Sequence, residues 1–220
     1  MKIQRKILPA LLAIGTLAGC NAGNPPPPDA DASYPEQLHA ARAAKDAAFR
    51  AQPNEPVPPH LMDKLIPLKY FPPDLEFVVP ASLKLADERI FIEIPTSAGE
   101  LRKEERVGVL EFTLKGKPLT LAAFIEAGSQ DVSHLFVPFS DLTSGTETYP
   151  AGRFMDLDRN RTGIYEVDFN RAYIPYCYYN PTYECPYPPP ENRLKIPIRA
   201  GERMKKSEVG SLTSEAGQPK

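Results

Sequence analysis

"VGVLEFTLKGKPLTLAAFIEA", Val107–Ala127, decides the fold. Leu110, Phe112 and Leu114 occupy alternate positions before Lys115–Pro118, and Leu119, Leu121, Ala123 and Ile125 occupy alternate positions after it. A period of two puts each apolar set on one face of a strand, and the break between them reads as a hairpin turn. One hairpin cannot bury such a face alone. The partners lie on both sides of it. Upstream, Ile90, Ile92 and Ile94 alternate in "RIFIEIP" and Leu75, Phe77 and Val79 in "DLEFVVP"; downstream stand "HLFVPFSD", "AGRFMDLD", "GIYEVDFN" and "LKIPIRA". Short strands with no helices between them leave no room for parallel crossovers. The fold expected is therefore mainly β, an antiparallel β-sandwich or small barrel.

One amphipathic helix precedes the strands. Ser33 and Glu36 have the spacing of a capping box, and "PEQLHAARAAKDAAFRAQP" places Leu38, Ala41, Ala48 and Phe49 on a common stripe. An alanine-rich helix buries little apolar area, so it is expected on the outside of the domain. The prolines of "NEPVPPHLMDKLIPLKYFPPDLEF" stop any longer helix and leave room for one short turn around His60–Leu65.

The first residues have a different character. Lys2, Arg5 and Lys6 precede an apolar run from Ile7 to Leu17, too short for a permanent span and arranged as a secretory signal. "LAGC", Leu17–Cys20, resembles the bacterial lipobox, which implies acylation of Cys20 and a mature chain that begins there. The organisation expected is a signal peptide over 1–19, a lipidated proline-rich tether over 20–33, one mostly β domain over 34–203 and a disordered tail over 204–220. Asn21 follows the cysteine where an inner-membrane retention signal has aspartate. The expected location is thus the cell envelope, on the periplasmic face of the outer membrane in a two-membrane cell. Loss of Lys2, Arg5 and Lys6 takes the formal charge from −2 to −5, and no basic stripe is present, so nucleic acid is not an expected partner.

The densest segment is "DFNRAYIPYCYYNPTYECPYPPPENRL", Asp168–Leu194. Cys177 and Cys185 stand close in sequence on an exported chain, and a disulfide between them is expected. Their spacing is too wide for a zinc knuckle, and His39, His60 and His134 are distant, so no metal and no cofactor are expected. "DLDRNRTGIYEV" begins like a calcium loop but has Arg161 at the glycine position and Val167 at the closing-glutamate position, and reads as a solvated turn. A triad assembled from Ser144, His134 and Asp168 lacks a nucleophile elbow. If "DFNRAY" continues a strand, Asp168 and Asn170 face one side and Phe169 and Arg171 the other, with Arg171 the buried ion-pair partner of Asp168 or Glu191.

"LKYFPPD" (Leu68–Asp74), "LFVPFSDLTSGTETYPAGRFMDL" (Leu135–Leu157) and "VDFNRAYIPYCYYNPTYECPYPPPENRLKIPIRAGE" (Val167–Glu202) together resemble DUF1684, an uncharacterised bacterial and archaeal family. The resemblance extends from Tyr34 to Glu202 and departs from the family pattern at Ile174 and Tyr187. It implies a mostly β domain and no particular chemistry. The motif-rich parts are loops, where binding groups concentrate on a rigid scaffold. Arg153, Asp168, Asn170, Arg171, Glu191 and Asn192 are therefore the candidate ligand-binding residues, in a pocket walled by the cysteine loop. The competing expectation makes that loop a clasp over an open sheet edge. The function expected is a membrane-anchored module that binds a small molecule or an envelope protein through a tyrosine- and proline-rich surface. The alternative is a hydrolase-like enzyme that uses the same polar residues.

Overall fold

A computed structural model describes residues 33–52 and 55–205. The expected leader, Cys20, the tether up to residue 32 and most of the tail lie outside the described residues. The chain folds as α1 (Tyr34–Ala51), α2 (Pro59–Leu65), β1 (Lys69–Tyr70), β2 (Val78–Pro95), β3 (Leu101–Leu114), β4 (Lys117–Ile125), β5 (His134–Phe139), β6 (Arg153–Asp158), β7 (Tyr165–Asp168) and β8 (Glu202–Arg203). Six strands form one antiparallel sheet in the order β6-β5-β4-β3-β2-β7, and β1 pairs separately with β8. A bridge between Arg159 and Tyr165 brings the two edge strands together, so the sheet closes into a barrel except for a narrow seam.

The central hairpin forms as its alternation demands. Leu114 pairs with Lys117 across a two-residue turn in which Lys115 and Gly116 have φ of 50° and 74°, the left-handed pair whose twist matches that of the flanking strands. Leu110, Phe112, Leu114, Leu121, Ala123 and Ile125 all point into the barrel with Val137, Phe139, Met155 and Val167. Phe169 plugs one end, its ring 5.4 Å from Phe139 and 5.9 Å from Phe112.

Three expectations needed correction. "DLEF" is a 3-10 turn over Leu75–Phe77, because the Asp74 carboxylate accepts from Glu76 N–H and starts a turn; Leu75 is exposed. β2 begins only at Val78 but runs on through Ser82–Glu88, whose polar sequence conceals a strand bent by an irregularity between Leu85 and Ile90. "LKIPIRA" bends at Lys195 and Ile196; it buries Leu194 and Ile198 but joins no strand of the six-stranded sheet.

Helix α1 lies outside the barrel, and only part of the expected stripe faces inward. Leu38 and Phe49 are buried while Ala48 is exposed. Arg42 and Lys45 share the inward face with Leu38 and Phe49. Arg42 donates to the carbonyls of Phe71 and Asn170, both at 3.3 Å, and Lys45 reaches Glu202 at 2.5 Å. The helix is held by charge-assisted bonds as much as by apolar contact.

Candidate functional site

The six candidate residues do not converge. Arg153, at the start of β6, is wholly buried, and its guanidinium donates to Asp141 at 2.9 Å and to the carbonyls of Ile198, Ala200 and Glu202. Asp141 in turn accepts from the N–H groups of Thr143 and Ile198. Arg153 thus ties the extended segment 198–202 to the barrel. Gly152 precedes it with φ of 90°, where any Cβ would lie 2.4 Å from the Phe139 carbonyl.

Asp168 ends β7, and Phe169–Arg171 is a 3-10 turn rather than more strand, because the Asp168 carboxylate accepts from Asn170 N–H. Alternation stops there. Asp168 also accepts from the Tyr34 hydroxyl at 2.9 Å and from Arg171 Nε at 3.0 Å. Asn170 bonds both the N–H and the C=O of Asp74. Arg171 pairs with Asp168 as expected, but its side chain is 54% exposed, so it is a surface partner of a buried carboxylate.

The segment after this turn does cover a sheet edge. Tyr173 exchanges two backbone hydrogen bonds with Phe154 of β6. The cysteine loop then packs Tyr176 and Tyr179 edge-on against Phe49 of α1 and docks Cys185 and Tyr187 on the β2–β3 turn through Ser97 and Pro95. Cys177 and Cys185 are adjacent thiols in the structure, and the Cys177 N–H lies 3.2 Å from Cys185 Sγ. Donation from the Cys177 thiol pulls Cys185 down to about 7 and pushes Cys177 up.

His134 pairs with Asp158, Ser144 accepts from Asp141 N–H and Asp168 holds Tyr34, so the three triad residues serve three separate neighbourhoods. The calcium-like segment is a turn whose Asn160 side chain accepts from Thr162 and Ile164 N–H. Among the described residues no group of three His, Cys, Asp or Glu is placed to hold a metal. Glu202 is among the buried carboxylates that the sequence does not single out. Glu202 accepts from Lys45, Ile174 N–H and the Tyr179 hydroxyl, and burial together with Glu202 holds the Tyr179 hydroxyl well above its ordinary value.

A sizeable cavity lies elsewhere. It is an open groove of about 580 Å³ lined by Glu111, Phe112 and Thr113 of β3, Pro118, Leu119 and Thr120 of β4, and Glu191 with Arg193–Lys195. Asn192 creates it. β4 and β5 pair at Phe124 and Phe136, and continuing that register would set Ala122 opposite Pro138. Proline has no N–H to return to Ala122, so the ladder cannot continue there. The Asn192 amide replaces it: Oδ1 accepts from Ala122 N–H at 2.6 Å, and Nδ2 donates to the carbonyls of Ala122 at 2.9 Å and Pro138 at 2.7 Å. Beyond this wedge the strands part. Residues 192–194 follow Ser140, with Ser140 N–H donating to Asn192 C=O and Leu194 N–H to Ser140 C=O. The groove is the gap left between that segment and the first half of β4. Of the sequence candidates only Glu191 lines it, held at its mouth by Arg106 at 3.4 Å.

The comparisons agree with this fold. No curated protein matches the chain. An uncharacterised protein of Haloarcula marismortui, solved in solution, is 37% identical with a TM-score of 0.62, over 76% of this chain and 92% of that one. The model of DUF1684, described as a protein of unknown function, matches residues 64–203, from the end of α2 to β8. The two prolines, the asparagine wedge and the barrel they split all fall within that matched span, and the chain belongs to the DUF1684 family.

Proposed function

We propose that this chain is a membrane-tethered binding module of the cell envelope, acylated at Cys20 and carrying its ligand in the groove beside β4. The observation that carries the reading is the groove itself: about 580 Å³, open, and flanked by charged side chains over an apolar floor of Phe112, Leu119 and Leu194. That volume lies in the range of ligand sites, about 300 to 1,000 Å³. The hydrolase-like alternative needs the polar candidates free to meet substrate, whereas Arg153, Asp168, Asn170 and Asn192 are engaged by the protein. In the envelope, exchange with a disulfide oxidant, which leaves as a dithiol, takes two electrons and two protons from Cys177 and Cys185, and the resulting disulfide closes the loop on itself in the form that docks on the β2–β3 turn and α1. On the periplasmic face of the outer membrane, the proline-rich tether keeps the barrel clear of the lipid surface.

A photo-crosslinking residue introduced at Thr113 in cells tests this, with the same residue at exposed His60 as control. A discrete adduct at Thr113, absent at His60, is expected; no adduct, or the same products from both, overturns the binding reading. Palmitate labelling that disappears in Cys20→Ser is expected from the anchor, and labelling that persists refutes it.

A further inference from the structure

We propose that the groove takes one strand of another polypeptide, an extended acidic segment with carboxylates at alternate positions, paired on one side with Thr120 and on the other with Arg193 and Lys195. This deepens the binding reading and rests on it. The argument begins with backbone direction. Ala122 N–H and C=O both point to Asn192, away from β3. Directions alternate along a strand, so those of Thr120 and the C=O of Pro118 point the same way, into the groove. Pro118 loses nothing there, because the N–H it lacks would have had no partner.

The opposite wall is built likewise. Asn192 C=O, Leu194 N–H and Ile196 C=O are spent on Ser140 and Leu142. Arg193 is extended, so its C=O and the N–H of Lys195 are turned toward β4, where nothing among the described residues meets them; the chain then bends at Lys195 and Ile196. Two facing backbone edges with a gap between them are what one added strand would satisfy. Such a strand needs walls about 9.5 Å apart, twice the interstrand spacing of about 4.8 Å.

Charge selects the occupant. Arg193 and Lys195 are exposed and, among the described residues, make no ion pair, while buried Asn192 and Leu194 alternate with them. Two residues apart on an extended segment, the cations repeat at about 6.7 Å, the repeat of carboxylates at alternate positions of a neighbouring strand. On the other side the strand's outward side chains meet Pro118 and Thr120, which are uncharged; Glu111 sits one strand further away on β3. Glu191 is already engaged by Arg106 and does not compete for Arg193. The inward side chains rest on Leu119 and Leu194, so small or β-branched residues alternate with the acids.

The test uses the full mature chain and three capped heptapeptides: alternating glutamate and valine, alternating lysine and valine, and the first with a central proline. Residue-resolved amide exchange should show Thr120 and Lys195 slowed by the glutamate peptide alone. Arg193→Gln with Lys195→Gln should weaken its binding about tenfold, as should raising salt from about 0.05 to about 0.5 M. Equal binding of the lysine peptide, protection confined to other amides, or an unchanged affinity of the double variant overturns the proposal. Protection of Thr120 before any peptide is added overturns it too, since the slot is then filled by the chain itself. If the Thr113 adduct forms in cells and the glutamate peptide leaves Thr120 unprotected, the binding reading stands and the strand proposal falls.

Discussion

Asn192→Leu removes the wedge while keeping its bulk. Asn192 is fully buried, and its amide makes three hydrogen bonds, none longer than 2.9 Å. The substitution leaves the Ala122 N–H without an acceptor and removes the donor from two buried carbonyls. A buried polar group stripped of its partner costs about 1 to 3 kcal/mol. Water from the adjoining groove relieves part of this, so a loss of about 3 to 5 kcal/mol is expected for the three groups together. Urea denaturation measures it as a fall in midpoint at constant slope. Asn192→Asp separates hydrogen bonding from packing: one oxygen still accepts from Ala122, but the other faces two carbonyls and carries buried charge. That variant should be strongly destabilised at neutral pH and partly recover in acid, when a protonated carboxyl can donate again. A loss below about 1 kcal/mol in Asn192→Leu would refute the claim that the amide substitutes for a broken ladder.

Arg153→Met should cost about 3 to 5 kcal/mol in thermal or chemical unfolding, because it strands the buried Asp141 carboxylate. Adding Asp141→Asn should restore part of this by removing the charge while keeping an acceptor for Thr143 and Ile198 N–H. Arg171→Ala should cost less than about 1 kcal/mol, since the pair is half exposed and Asp168 retains Tyr34 and Asn170; an unfolded variant would show that this arginine carries the turn. Burial holds the Glu104 carboxyl above its ordinary value, with Arg102 offsetting part of the effect. A raised folded-state value favours folding while the group is protonated, and that advantage is lost as pH climbs through it. Glu104→Gln should therefore raise the melting temperature at neutral pH and leave it unchanged in acid well below the ordinary carboxylate range. The opposite pH dependence would show that the Arg102 pair dominates.

The barrel was legible wherever one face is apolar and the other is not. Leu110 to Ile125 read correctly because alternation and the Lys115-Gly116 turn point to the same hairpin. Reading failed where side chains rebuild the backbone's hydrogen bonding. Asp74 and Asp168 each cap a 3-10 turn, so "DLEF" and "DFNRAY" leave the strand geometry that their alternation suggests. Helix α1 and its Leu38 and Phe49 contacts are legible, but the rest of its inward face is not, because Arg42 and Lys45 turn inward to partners more than 20 residues away. The groove was the hardest to see, since it is made by strands that stop pairing. Its signals were Pro118 and Pro138, two prolines in strands that an unbroken ladder would pair, together with an asparagine after three prolines. Asn192 was singled out as a ligand group; it proves to be the residue that opens the slot.

The most direct test of that slot is residue-resolved amide hydrogen exchange of the free, full mature chain. Ala122, whose N–H is held by Asn192, should exchange only on global opening, at least about a thousandfold slower than Thr120 two residues away, and Lys195 should exchange as fast as Thr120. Equal protection of Thr120 and Ala122 would mean that β4 is already paired along its length, and the account of an open slot would be wrong.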